Sequence, residues 1–267
     1  MDKLIFKKAG KTVCINKVYD GETSRNMFYS IDEIVNDSKV FKLIKDGSST
    51  KVGIVSGEGL GLDIGLAIKC FKSGGFLKNF GRRFIGSKAE SLFEKATLLS
   101  DYGLNVPEPV SFVNSFSDIE SYYVSLVLEG YDNFAVVYEK LLRENPEETG
   151  DLIAKELYKW HKYGVGHGDF KWSNIMMRLD GKGDAYFIDI DQSIVENILG
   201  HRKIMDDLTR FYRYGIEINI DTSGWLLDVF LPKYFNLAND LICGLFTIED
   251  VAIRATAEHE IKIKRRK

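Results

Sequence analysis

What this chain has little of narrows it first. Its three cysteines, Cys14, Cys70 and Cys243, are far apart, odd in number and outside any metal-ligand spacing. That argues against a disulfide framework and a zinc site, and for a reduced, cytoplasmic setting. Nowhere do about 18 apolar residues run together, the length a membrane-crossing helix needs. Even Trp225-Leu226-Leu227-Asp228-Val229-Phe230-Leu231 is broken by Asp228. The opening Met1 to Lys8 lacks the apolar core of a signal peptide, so neither spanning nor export by these routes is expected. A net charge of −3 gives no global attraction to nucleic acid, and no internal repeat or low-complexity tract is present. With 45% hydrophobic and 28% charged residues the composition is that of a folded globular protein. The 267 residues suffice for one large domain or two lobes with cores of their own.

The most informative stretch is His167-Gly168-Asp169-Phe170-Lys171-Trp172-Ser173-Asn174, which sets a carboxylate, an amine and a carboxamide at short fixed offsets. In an H-x-D-x-x-x-x-N pattern the Asp accepts the proton of an attacking hydroxyl, and the Asn holds a Mg²⁺ that neutralises phosphates. Lys171 is placed to reach the transferred phosphoryl group. A turn whose Asp only caps a helix offers the same three polar side chains. The downstream sequence favours chemistry: after a hairpin comes Tyr186-Phe187-Ile188-Asp189-Ile190-Asp191, an apolar strand ending in carboxylates, with Asp189 where the second metal ligand belongs. His167 is expected to pack and hydrogen-bond beneath the loop. Asp191 is either an acceptor behind the metal ligand or a cap for the next element of the chain. Trp172, Met176 and Met177 read as packing under the loop, with no basic groove that would make them nucleic-acid stacking residues.

Upstream, weak alternation predicts a hairpin around Ala9-Gly10-Lys11, and Ser30 to Val35 reads as a short helix opened by a capping box. Strands follow at Val40 to Ile44, Lys51 to Val55 and Leu66 to Phe71. Two turns join them. A phosphate loop of a kinase-like sheet joins the first two strands, and the essential lysine sits on the third. Gly47 precedes Lys69 by a full hairpin, whereas Gly61 precedes it by only a few residues. The nucleotide role therefore falls on Asp46, Gly47, Ser48, Ser49 and Thr50, whose N–H groups and hydroxyls suit phosphate oxygens. Gly57 to Gly61 reads as a strand connection. Lys69 matches the strand-borne phosphate lysine; its alternative is an edge-strand charge that discourages aggregation. Ser87 to Tyr102 reads as a helix capped by Ser87 and stopped by Gly103, with Ala89, Leu92, Phe93, Ala96 and Leu99 on one face. Glu94 beside that face is the candidate partner for Lys69, and Glu90 the reserve.

Pro107 and Pro109 enforce an extended path into strands at Pro109 to Val113 and Tyr122 to Leu128. At Leu128-Glu129 the pattern turns helical, which divides the chain into residues 1–128, a nucleotide-binding lobe, and 129–267, a catalytic lobe. Backbone groups of Glu129 and Tyr131 would face an adenine edge. Helices are expected from Val136, over Asp151 to Tyr163, and from Asp206. The basic end, Lys262 to Lys267, reads equally as a frayed, solvated terminus or as a weak contact with an anionic membrane surface.

Trp160 to Asp169 is similar to the small-molecule and lipopolysaccharide kinases of bacteria, which share the protein-kinase fold, and the segments Ser87 to Pro109, His167 to Met176 and Tyr186 to Asp191 resemble the lipopolysaccharide core kinases among them. The resemblance covers roughly residues 40 to 215. It implies an α+β, bilobal, protein-kinase-like architecture: a small β-rich N-lobe with one key helix, and a mainly helical C-lobe. It further implies ATP and Mg²⁺ as cofactors, with transfer of the γ-phosphoryl group to a heptose or Kdo hydroxyl on the cytoplasmic face of the inner membrane. Asp169 would take the proton, Asn174 and Asp189 would hold the metal, and Lys69 with Glu94 would position the phosphates. The turn at Asp46 lacks a full Gly-x-Gly-x-x-Gly, a departure that bears on nucleotide choice. An aminoglycoside-type phosphotransferase shares these motifs but would offer acids to a cationic drug. Residues 69 to 95 instead carry Lys69, Lys72, Lys78, Arg82, Arg83, Lys88 and Lys95 against Glu90 and Glu94, which suits an anionic acceptor. A protein kinase would need more room than residues 189 to 210 leave for an activation segment. A pseudokinase scaffold would be expected to lack one of Lys69, Asp169, Asn174 and Asp189.

Overall fold

The computed structural model describes residues 2–8, 10–56, 65–72, 86–115 and 120–266. The Gly57 to Gly61 connection and the basic residues Lys78, Arg82 and Arg83 lie outside them. The chain divides into two compact units, Met1–Asp101 with Pro107–Leu128, and Tyr102–Val106 with Glu129–Lys267.

The first unit is built on an antiparallel sheet of strands β1 (Lys3–Lys8), β2 (Lys11–Asn16), β3 (Phe41–Asp46), β4 (Thr50–Val55), β5 (Leu66–Phe71), β6 (Pro109–Ser115) and β7 (Ser121–Leu126). Among the described residues its order is β1-β2-β6-β7-β5-β4-β3. Period-two alternation on β5 sends Leu66, Ile68 and Cys70 into a core with Val13, Ile15, Val55, Val113 and Tyr122. Met27, Phe28, Ile31 and Val35 cover that core from helices Glu22–Tyr29 and Ile31–Asn36. The second of these helices forms where expected, yet Ser30 makes no side-chain capping bond; its backbone is already turned into the preceding helix's last turn. The reciprocal capping box occurs instead at the Lys88–Asp101 helix. There Glu90 N–H donates to Ser87 Oγ at 3.0 Å and Ser87 N–H to Glu90 Oε2 at 3.4 Å. The apolar stripe Ala89, Leu92, Phe93, Ala96 and Leu99 is buried as its spacing predicts. It rests on β6 and β7, with Phe93 edge-on to Phe112 at 5.5 Å. Burial pushes the Cys14 thiol up to about 11 and Cys70 to about 12, so both act as small apolar side chains.

The second unit is mainly helical, with helices Phe134–Glu144, Pro146–Lys162, His201–Ile218, Leu231–Leu237 and Ile248–Arg266. Short strands β8 (Tyr131–Asn133), β10 (Ile175–Arg178) and β11 (Tyr186–Phe187) form one small sheet, and β9 (Val165–Gly166) pairs with β12 (Ile194–Val195). An aromatic cluster fills its centre. Trp172, fully buried, lies 4.7 Å from Phe134 and 5.8 Å from Phe211, and Phe211 lies 4.3 Å from Phe230. Tyr102–Val106 belongs here because buried Glu156 binds it: Oε1 accepts from Asn105 N–H at 2.7 Å and Oε2 from Asn105 Nδ2 at 2.9 Å. Asn105 O in turn accepts from Phe187 N–H at 2.9 Å. The C-terminal basic residues are not a frayed end. Those from Lys262 to Arg266 continue the Ile248–Arg266 helix, and Lys262 Nζ reaches Glu217 on the His201–Ile218 helix at 2.5 Å. No helix among the described residues is long and apolar enough to cross a membrane.

Candidate active site

In the first unit Lys69 stands on β5, paired with Val52 on one side and Tyr123 on the other. β5 is an interior strand, which removes the edge-guard reading of this lysine. It shares with buried Phe71 the face opposite Leu66, Ile68 and Cys70, and its Nζ lies 5.5 Å from that ring's centroid. Glu94 does not turn inward. It is exposed, on the flank of the buried stripe, and pairs with Lys3 of β1, whose Nζ lies at 3.3 Å. Glu90, half-buried, caps Ser87 and accepts from Asn114 Nδ2 at 3.4 Å.

The Asp46 to Thr50 turn joins β3 to β4 and is closed by Gly47 N–H to Thr50 O at 2.8 Å. Lys72, just past β5, braces it: its N–H donates to Ser49 O at 3.0 Å, and its ammonium reaches Gly47 O at 2.9 Å and the Asp46 carboxylate. That hydrogen bond holds the Asp46 carboxyl below its ordinary value. Lys72 thus offsets the charge of the acid in this turn. Glu129 and Gly130 lead into β8, where Tyr131 sits opposite Arg178 with its ring 5.2 Å from Tyr186.

In the second unit the loop from β9 to β10 carries Asp169, Lys171 and Asn174. Its backbone turns at Gly168 with φ +75°, and a Cβ there would sit 2.6 Å from Gln192 O, so only glycine suits the position. Buried His167 bridges the motif. Its Nδ1 accepts from Asp169 N–H at 3.3 Å, which fixes Nε2 as the donor to Ile188 O at 3.1 Å. Burial pushes its pKa down against the pull of Asp207, leaving a neutral ring. Ile188 N–H donates to Asn174 O at 2.9 Å. Ile188 is thus tied on both sides, and the residue after it, Asp189, is delivered beside the loop. Asp189 adopts left-handed backbone, φ 57° and ψ 48°, a conformation uncommon outside glycine that collects at functional sites.

The Asp169 carboxylate is bracketed. Oδ2 accepts from Lys171 Nζ at 2.7 Å and Asn174 Nδ2 at 3.1 Å, and Oδ1 accepts from Arg210 Nη1 at 2.8 Å. Burial raises its pKa, but the bonds from Lys171 and Arg210 outweigh this and hold it below the ordinary value. Sequence reasoning missed two members of this arrangement, both on the His201–Ile218 helix. Arg210 carries no signal beyond its nearness to Asp207. Asp207 does carry one: it lies on the same helical face as Ile204, Leu208 and Phe211, and a carboxylate on an apolar face is costly unless it is bonded. It is bonded here. Asp207 Oδ2 accepts from His167 N–H at 2.7 Å and Oδ1 from Gly168 N–H at 2.9 Å, while His161 Nε2 lies 3.3 Å from Oδ2. Burial raises the Asp207 pKa, and His161 with the other partners brings it below the ordinary value.

Asn174 turns its amide N–H groups to Asp169 O and Oδ2, which leaves its Oδ1 as an acceptor for a cation. Together with the exposed Asp189 carboxylate it forms a set of two hard oxygen donors. No group of three or more His, Cys, Asp or Glu able to hold a metal occurs among the described residues. Mg²⁺ requires none: it is commonly held by one or two such protein oxygens, with phosphates and water completing the octahedron. The donor set therefore fits that ion.

A β-rich amino-terminal part, a helical carboxy-terminal part and this loop make an α+β fold of the kinase type. A solved structure titled "WaaP in complex with acyl carrier protein" superposes with a TM-score of 0.62 at 15% identity, covering 93% of this chain and 98% of that one. The model of the Lipopolysaccharide kinase (Kdo/WaaP) family matches residues 78–227. The chain belongs to that family, and is accordingly a kinase, with ATP as the expected phosphoryl donor.

Proposed function

We propose that this chain transfers the γ-phosphoryl group of ATP to a sugar hydroxyl, on a heptose or Kdo, of the lipopolysaccharide inner core. The observation that carries the reading is the Asp169 carboxylate, fixed by its loop and kept ionised by two cations, with Asn174 beside it. An incoming hydroxyl hydrogen-bonds to Asp169, which aligns its oxygen for attack and receives its proton as the new P–O bond forms and the bond from the γ-phosphorus to the bridging oxygen breaks, releasing ADP. Lys171 stays on Oδ2 and brings positive charge to the transferred group. Lys69 and the Asp46 to Thr50 turn hold the remaining phosphates, and the backbone near Glu129 and Tyr131 receives the adenine edge. Mg²⁺, held by Asn174 and Asp189, would neutralise charge between the phosphates. On this reading residues 1–128 bind nucleotide and 129–267 carry the catalytic groups. The family's acceptor lies in a membrane, so the chain works peripherally at an anionic surface. The test is transfer of label from γ-labelled ATP to purified lipopolysaccharide, paired with mass spectrometry of lipopolysaccharide from cells with and without the gene. A phosphate lost with the gene and restored by the wild type but not by Asp169→Asn supports the reading. Equal labelling by the wild type and Asp169→Asn would sink it.

A further inference from the structure

The two oxygens of Asp169 are not equivalent. A carboxylate oxygen offers about two lone-pair directions, and those of Oδ2 are taken by Lys171 at 2.7 Å and Asn174 at 3.1 Å. Oδ1 receives Arg210 at 2.8 Å and keeps one direction. The hydroxyl that gives its proton to Asp169 therefore meets Oδ1, next to the Arg210 guanidinium. Arginine carries five N–H donors in a planar fork that matches carboxylate and phosphate oxygens two at a time. Among the described residues Arg210's hydrogen-bond partner is Asp169 alone, through Nη1, and its side chain is 35% exposed. Asp169, Lys171 and Arg210 together bear one net positive charge. The N–H donors that Arg210 does not spend on Asp169 bond an anionic oxygen about twice as strongly as a neutral one, and not a cation.

We infer that Arg210 docks an anionic group of the acceptor, a carboxylate or a phosphate, beside the reacting hydroxyl; the inference rests on the sugar-kinase reading above. Arg210 is then a specificity-determining residue, and its effect falls on the acceptor and not on ATP.

The experiment compares wild type, Arg210→Gln and Arg210→Lys on lipopolysaccharide dispersed in detergent. The lipopolysaccharide is used untreated, with its carboxylates amidated by carbodiimide and methylamine, or with its phosphates removed by phosphatase. In the wild type one of the two treatments is expected to lower kcat/KM by about tenfold or more, the cost of losing a charge-assisted hydrogen bond, and it identifies which anion is docked. In Arg210→Gln the same treatment changes kcat/KM by less than about twofold, KM for untreated acceptor rises and KM for ATP stays put; Arg210→Lys restores part of the discrimination. Because discrimination is a ratio within each variant, a general loss of rate from a displaced Asp169 leaves it unaffected. A wild type indifferent to both treatments, or an Arg210→Gln variant as sensitive as the wild type, overturns the inference and leaves the kinase reading standing. A wild type that labels no form of lipopolysaccharide overturns both.

Discussion

Lys69 and Asp169 are held by different means. Lys69 sits in the middle of a sheet, with strands paired on either side of it, so its placement depends on main-chain hydrogen bonds that nearly any neighbouring sequence can make. The Asp169 loop is held by side chains. Asp207 accepts two of its N–H groups, His167 bridges Asp169 to Ile188, and Gly168 fits against Gln192. A ladder spreads its support over many weak bonds. A side-chain scaffold concentrates it in a few buried polar groups, each costly to leave unpaired. The Asp169 loop should therefore be more fragile than the setting of Lys69.

The largest expected effect is on chemistry. Asp169→Asn keeps the shape of the loop but removes the proton acceptor, and should lower kcat by about 10² to 10⁴ while ATP still raises the melting temperature. Steady-state rates within tenfold of wild type would show that another group accepts the proton.

Next comes the scaffold. Asp207→Asn leaves buried N–H groups facing a neutral amide, and should cost on the order of 3–5 kcal/mol, as removal of one member of a buried charged network does, measured by denaturant unfolding. Because the Asp207 pKa is depressed in the folded protein, its contribution is fully present above its unfolded value of about 4 and is lost as pH falls through the folded one. Wild type should lose stability on acidification below about pH 4 more steeply than the variant does. Parallel pH profiles would count against this carboxylate as the anchor of the loop.

By contrast Lys69→Met should leave stability nearly unchanged and weaken nucleotide binding by about 1.5–3 kcal/mol, the value of a hydrogen bond to a charged group, as read by calorimetry with ATP. A melting temperature that drops as far as that of Asp207→Asn would erase the contrast between the two scaffolds. Gly47→Val is a sharper probe of the turn. A Cβ there meets Thr50 O at 3.4 Å and Thr50 Oγ1 at 3.9 Å, both ordinary contacts, so a rise in KM for ATP reports the approach of phosphate and not a damaged hairpin.

The smallest effect concerns the C-terminus. Truncation after Glu260 removes the partly exposed Lys262–Glu217 pair, worth about 0–1 kcal/mol, together with the cations that follow it. Cosedimentation with anionic vesicles at low salt should fall while activity on a lipid-free core oligosaccharide holds. Equal sedimentation of the truncated and full chains would show that this end is not the membrane contact.

The strands, the Lys88–Asp101 helix and the spacing of the Asp169 loop were legible because each depends on local pattern: period two, period 3.6, and fixed offsets along one stretch of chain. Arg210 was not, and the apolar helix face around Asp207 marked that acid as bonded without naming its partner, because both reach the loop from about forty residues away on another helix. Glu94 was misjudged for a related reason. The spacing puts it on the rim of a buried stripe, where inward and outward are both open, and it faces out beside Lys3, more than ninety residues earlier. The Ser30 capping box failed although its letters were right, since the backbone of Ser30 was already committed to the preceding helix.

The passage of Tyr102–Val106 through the second unit bears on how this protein can be taken apart. The chain enters that unit at Tyr102, leaves at Pro107 and returns at Glu129. A single cut at Leu128-Glu129 therefore does not release a self-sufficient carboxy-terminal fragment. Such a fragment would carry Glu156 buried with its Asn105 donors missing, and one edge of β11 bare where Asn105 had accepted from Phe187. Expressed alone it should be insoluble, and it should be rescued by a synthetic peptide spanning Tyr102 to Val106 better than by a scrambled peptide of the same composition.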